Sequence, residues 1–111
     1  MFADAQHKLA GDSPRLRLLS ISIDPLGDDR KALGDWMARF DADPRRWTAA
    51  LPKVADVDRR LDFVWGRANG ADRHTPQAYV FDRSARLAYR TEDLPSGQQL
   101  VDVMRQVAKL T

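Results

Sequence analysis

Leu16-Arg17-Leu18-Leu19-Ser20-Ile21-Ser22-Ile23-Asp24-Pro25 is the stretch that decides the fold. Side chains alternate along a strand, so Leu19, Ile21 and Ile23 share one face while Leu16, Leu18, Ser20 and Ser22 share the other. Both faces are apolar or small, as in a parallel strand covered by helices on both sides. Asp24-Pro25 ends the strand, because proline disfavours helix for its predecessor and has no donor to give the ladder.

Working outward, residues 2 to 10 have helical spacing. Phe2, Ala5 and Leu9 fall on one face, and Gly11 with Pro14 stops the pattern. It reads as the end of a helix already under way. On the other side Asp28 is the expected N-cap of a second helix, with Asp29 adding negative charge to its first turn. Leu33, Trp36, Met37 and Phe40 then form one stripe, expected to lie in the core.

Asp41 to Leu51, with Pro44 and Trp47, reads as a connection. Pro52 opens a short helix carrying Val54, Val57 and Leu61. Phe63 to Trp65 is a brief strand or buried turn, and Gly66, Asn69 and Gly70 mark a loop leading to His74. Gln77 to Asp82 and Arg86 to Arg90 read as a hairpin. Its turn should exceed two residues, since Arg83, Ser84 and Ala85 include no glycine or asparagine. Ser96 with Gln99 is a capping box for a last helix that buries Leu100, Val103, Met104 and Val107.

At 111 residues the chain reads as one domain, 1–111. Its 43% hydrophobic and 31% charged content is that of an ordinary globular protein, and no run is long and apolar enough for a signal peptide or membrane span. The pI of 9.3 hides a balance of 18 basic against 16 acidic residues. Arg45/Arg46 and Arg59/Arg60 are too short to make a nucleic-acid stripe and read as solvated surface, so no nucleic-acid partner is expected. The chain has no cysteine, which removes disulfides, thiolate ligands and thiol redox chemistry from these residues.

The candidate chemistry centres on His74-Thr75-Pro76. Proline belongs at the first residue of a strand, which sets His74 at the mouth of a sheet, where imidazole can ligate a metal or transfer protons. On residue type alone, a surface-loop histidine is the simpler reading. His7, on the first helix, has no motif around it. Asp24 and Asp28 flank the carboxyl end of a strand, where α/β folds place their sites, although a strand stop and a helix cap account for both. Asp72 and Asp82 are near enough in sequence to orient His74. Ser20 and Ser22 lie on a buried strand face with no nucleophile elbow around them, so a serine hydrolase is not expected.

The run LLSISIDPLGDDRKALGDWMARFDADPRRWTAAL, followed by HTPQAYVFDRSARLAYR, resembles the Sco/SenC family over essentially the whole chain. These thioredoxin-fold proteins assist copper delivery to cytochrome c oxidase. The resemblance implies an α/β, thioredoxin-like three-layer sandwich. It places His74 on the family's histidine ligand to copper and Pro76 on a cis-proline, with a cis Thr75-Pro76 bond; Asp24-Pro25 falls on the family's strand end. The family's other ligands are two thiolates from a Cys-x-x-x-Cys loop, and this chain has neither.

By the same resemblance the chain looks N-terminally incomplete, without the central cysteine-bearing strand. That strand would lie between Leu16–Ile23 and Gln77–Asp82. Three remedies present themselves: direct pairing of those two strands, a second copy filling the gap, or a chain that is a fragment. The functional expectation is an accessory domain for copper delivery or thiol redox in respiratory oxidase assembly, inactive for both as it stands and not an enzyme, with an oxidase subunit as partner. A periplasmic location follows by resemblance, or a cytoplasmic one if Met1 is the true start. The alternative is a cysteine-free thioredoxin-like interaction module, using or self-associating through its open sheet edge.

Overall fold

The computed structural model of the protein describes residues 1–22, 27–53 and 78–110. Within them the order is α1 (Phe2–Lys8), β1 (Leu18–Ile21), α2 (Arg30–Arg39), β2 (Trp47–Ala50), β3 (Tyr79–Phe81), β4 (Leu87–Arg90) and α3 (Gly97–Leu110). This is a mixed α/β architecture. The expected elements at Pro52–Leu61 and Phe63–Trp65, and the loop to His74, lie outside the described residues.

β1 is parallel, as its two-faced pattern predicts, and its neighbour is β2, with Leu18 opposite Trp47 and Ile21 opposite Ala50. The segment Asp41–Leu51 is therefore not a plain connection. Its second half is a strand, whose four residues are too few to carry a recognisable alternation. The expectation of two covered faces also needs correction. Leu18 and Trp47 are buried at 3% and 2% exposure, whereas Leu19 and Ile21 are 54% and 40% exposed.

β3 and β4 form a separate antiparallel pair, with an irregularity between Val80 and Phe81. Direct pairing of the Leu16–Ile23 and Gln77–Asp82 strands is thus not how the sheet is completed among the described residues. The hairpin turn is the longer kind expected. Asp82 takes the amides of Ser84 (2.8 Å) and Arg86 (3.0 Å) on one carboxylate oxygen, and Ala85 adopts φ 62°, the left-handed conformation glycine usually supplies.

α2 departs from its sequence reading at its N-terminal cap and along its face, and ends near Phe40 as expected. The N-cap is Asp29, whose carboxylate accepts the Ala32 amide at 2.7 Å, while Asp28 instead accepts from the Ser22 hydroxyl at 2.5 Å. Two adjacent aspartates each suit a cap, and the neighbouring strand claims the first. The helix closes in a Schellman motif, with Asp41 N donating to Ala38 O and Ala42 N to Met37 O, and Asp41 at φ 50°. No residue of α2 is fully buried. Trp36 and Phe40 keep 39% and 43% exposure; Trp36 packs edgewise on both Phe40 and Trp47, and Phe40 meets Trp47 at a tilt of 43°.

The core lies between α1, α3 and the sheets, built from Ala5, Leu9, Leu18, Trp47, Ala78, Val80, Leu100, Val101, Met104 and Val107. The capping box of α3 is formed as expected: Ser96 N donates to Gln99 Oε1 (2.9 Å) and Gln99 N to Ser96 Oγ (3.1 Å). Val103 is only partly buried, and Val101, fully enclosed, takes its place in the stripe. α1 and α3 meet so closely at Gly97 that a Cβ there would stand 2.8 Å from Asp4 Cβ, which only glycine avoids.

Arg105 of α3 grips the loop after α1, donating to both carboxylate oxygens of Asp12 at 2.8 and 3.0 Å. That hydrogen bond holds the Asp12 carboxyl below its ordinary value of 3.8, with the Arg105 and Arg46 charges assisting against some desolvation. A depressed carboxylate pKa stabilises the fold above the unfolded value, and the benefit is lost as pH falls through the lower folded one. Asp12→Asn should therefore lower the melting temperature at neutral pH and flatten its decline below about pH 4, near the 3.8 reference. Melting curves of both proteins across the acid range check this, and parallel acid limbs would contradict it.

Candidate functional site

The carboxyl end of β1 and the exposed side of α2 enclose an open groove of about 540 Å³. Ser20, Ile21 and Ser22 line it from the strand, and Asp28, Trp36 and Arg39 from the helical side. Both hydroxyls are engaged in holding the walls: Ser20 Oγ accepts the Trp47 indole N–H at 2.9 Å, and Ser22 Oγ donates to Asp28. This is the strand end where α/β folds place ligands, and among the described residues the carboxylate Asp28, considered from the sequence, lies there. It ties the strand to the start of the helix through Ser22, in place of the cap foreseen for it.

His74, Thr75, Pro76, Asp24, Pro25 and Asp72 all lie outside the described residues, including the expected cis bond. Asp82 is committed to the hairpin turn. His7 sits exposed in the last turn of α1. Among the described residues no group of three or more His, Cys, Asp or Glu is placed to hold a metal ion.

Sequence reasoning missed the residues that fix α1. Arg46 was expected in solvent, yet it is 9% exposed, and its guanidinium donates to Ser13 O and Leu16 O (both 2.6 Å), Leu9 O (2.9 Å) and Asp12 O (3.1 Å). Arg45 behaves as predicted, exposed and paired with Asp43 at 3.1 Å. Gln6 spans from α1 to the end of α2, donating to Asp41 O (3.0 Å) and accepting the Asp43 amide (3.0 Å). No local pattern distinguishes Arg46 from Arg45, because its four acceptors all come from the chain between Leu9 and Leu16. The signal was compositional at best: a loop of that length leaves carbonyls that something must satisfy.

Element order, a parallel β1–β2 unit and a site at the strand's carboxyl end define an α/β protein of the broad class that includes thioredoxin-like domains. The family model SCO1/SenC matches residues 1–109, and the chain belongs to that family. No curated protein and no solved structure matches it. The family is a copper-binding one in general, with partners among the cytochrome oxidases. Thiolates suit cuprous ion, and this chain has no cysteine, so its donor set does not fit a site of two thiolates and an imidazole. No helix among the described residues is long and apolar enough to cross a membrane.

Proposed function

We propose that the chain is a thioredoxin-like, Sco/SenC-type accessory domain in the assembly of a respiratory oxidase, where its relatives handle copper or thiols. By itself it neither holds copper tightly nor catalyses thiol exchange. The observation that carries this reading is the family match along residues 1–109 joined to a cysteine count of zero. The fold is then of the family's thioredoxin-like kind, the location periplasmic, and the partner an oxidase subunit. By the family resemblance His74 stands where the family has its histidine ligand to copper.

A single imidazole binds copper weakly and with little selectivity. Titrating cuprous ion against a competing chelator should show the chain failing to withdraw copper, with residual cupric binding that falls further in His74→Ala. Tight, stoichiometric cuprous binding would sink the reading.

A second reading has its own support. β1 and β3 sit in different two-stranded sheets, leaving β1 with an open edge among the described residues. An open edge recruits other strands, which favours a cysteine-free protein-interaction module with no metal role. Co-purification of an oxidase subunit that survives His74→Ala would support the module over the copper-dependent reading.

A further inference from the structure

α2 is held differently from the other long helix. Of its ten residues only Leu33 and Met37 are half-buried and the rest are exposed, whereas α3 encloses Leu100, Val101, Met104 and Val107. Ten residues are too few for a helix that stands alone in water, so α2 depends on what it docks against. Gly34 sits in its middle, and a Cβ there would meet nothing within 4 Å. It serves no close approach and weakens the helix relative to alanine.

The docking is narrow. Trp36 and Phe40 reach Trp47 at 5.7 and 6.2 Å between ring centroids. The polar ties fall outside the helix, from Ser22 to Asp28 before it and from Gln6 to Asp41 and Asp43 after it. Trp47 is also held from elsewhere, by the Phe2 ring at 5.7 Å and by the Ser20 hydroxyl. Releasing α2 therefore leaves Trp47 seated on α1 and β1.

We propose that α2 opens as a unit, its turns unwinding and Trp36 and Phe40 leaving Trp47, while α1, α3 and the core stay folded. Local openings of this kind draw on the segments with the fewest buried apolar contacts. The ties at Asp28 and at Asp41 to Asp43 act as hinges, so the segment swings rather than departs. The consequence falls on the groove at the carboxyl end of β1. Its strand wall, with Ser20 and Ile21, is fixed, and its helical wall, with Trp36 and Arg39, moves. What the groove admits is then set by how often α2 opens.

Native-state amide exchange at a series of low urea concentrations tests it. The amides from Leu33 to Arg39 should share one opening equilibrium, about a hundredfold or more above that of the slowest α3 amides, and with a smaller urea slope because less surface is exposed. Gly34→Ala should slow exchange throughout α2 by about two- to fivefold. Val101→Ala, in the core, should speed the slowest α3 amides by about tenfold or more and leave α2 unchanged; if that variant fails to fold, the urea slopes of the parent protein decide. Protection and urea slope in α2 equal to those of α3 overturn the proposal, as do α2 amides that accelerate together with α3 in Val101→Ala. Protection that rises steadily from the ends of α2 to its middle also overturns it, being fraying rather than opening of a unit.

Discussion

Trp47→Ala is expected to destabilise the protein by about 3–5 kcal/mol, the usual range for deleting a buried large aromatic side chain. Trp47 is 2% exposed and meets three rings, Phe2 at 5.7 Å, Trp36 at 5.7 Å and Phe40 at 6.2 Å between centroids. It thus joins α1, α2 and the β1–β2 pair. Its indole N–H also reaches Ser20 Oγ. The loss is a large fraction of the roughly 5–15 kcal/mol that holds a domain together. Urea unfolding should show a midpoint shifted far down at unchanged slope. Trp47→Phe, which keeps a ring and loses the hydrogen bond, should cost markedly less, and equal losses for the two variants would show that packing against the rings is not the source.

Arg46→Met should cost about 3 kcal/mol. Methionine fills part of the volume but takes a charged donor from four carbonyls, of which Leu9 O, the most deeply buried, keeps the Asp12 amide and Ser13 O the Leu16 amide. Hydrogen bonds to a charged donor contribute about 1.5–3 kcal/mol each; the retained backbone amides and water at the more open carbonyls limit the sum. Arg46→Lys should recover only a part, since one ammonium cannot reproduce a planar fork that meets four oxygens. Chemical denaturation measures both variants. A lysine variant as stable as the parent would mean that charge, not fork geometry, is what the Leu9–Leu16 loop requires.

Much of the fold was legible because its signals are local. The first helix announces its buried face through Ala5 and Leu9, and the last through Leu100, Met104 and Val107, each at helical spacing. Ser96 and Gln99 encode their reciprocal cap within four residues. The parallel nature of β1 follows from its apolar residues on both faces. What stayed hidden depends on partners distant in the chain. Asp28 and Asp29 are equally good caps until Ser22 claims the first, Arg45 and Arg46 are indistinguishable until four carbonyls surround the second, and the stripe on α2 looks like core until the rings are seen to share Trp47 with an open side.

The candidate site divides in the same way. Which donors the chain can offer a metal was fixed by composition, since an absent cysteine is absent in any conformation, and membership of the SCO1/SenC family follows from motifs strung in order along residues 1–109. Sequence by itself therefore determined the broad α/β class, the buried faces of the first and last helices, the Ser96–Gln99 cap and the loss of thiolate chemistry, all of which depend on residue type and short-range spacing. Only the tertiary structure decided that Trp47 opens a strand beside β1, that Arg46 is an internal clamp, and that β1 and β3 belong to separate sheets. Those outcomes rest on which backbone groups meet across long stretches of chain, and pairing at a distance leaves no periodicity to read.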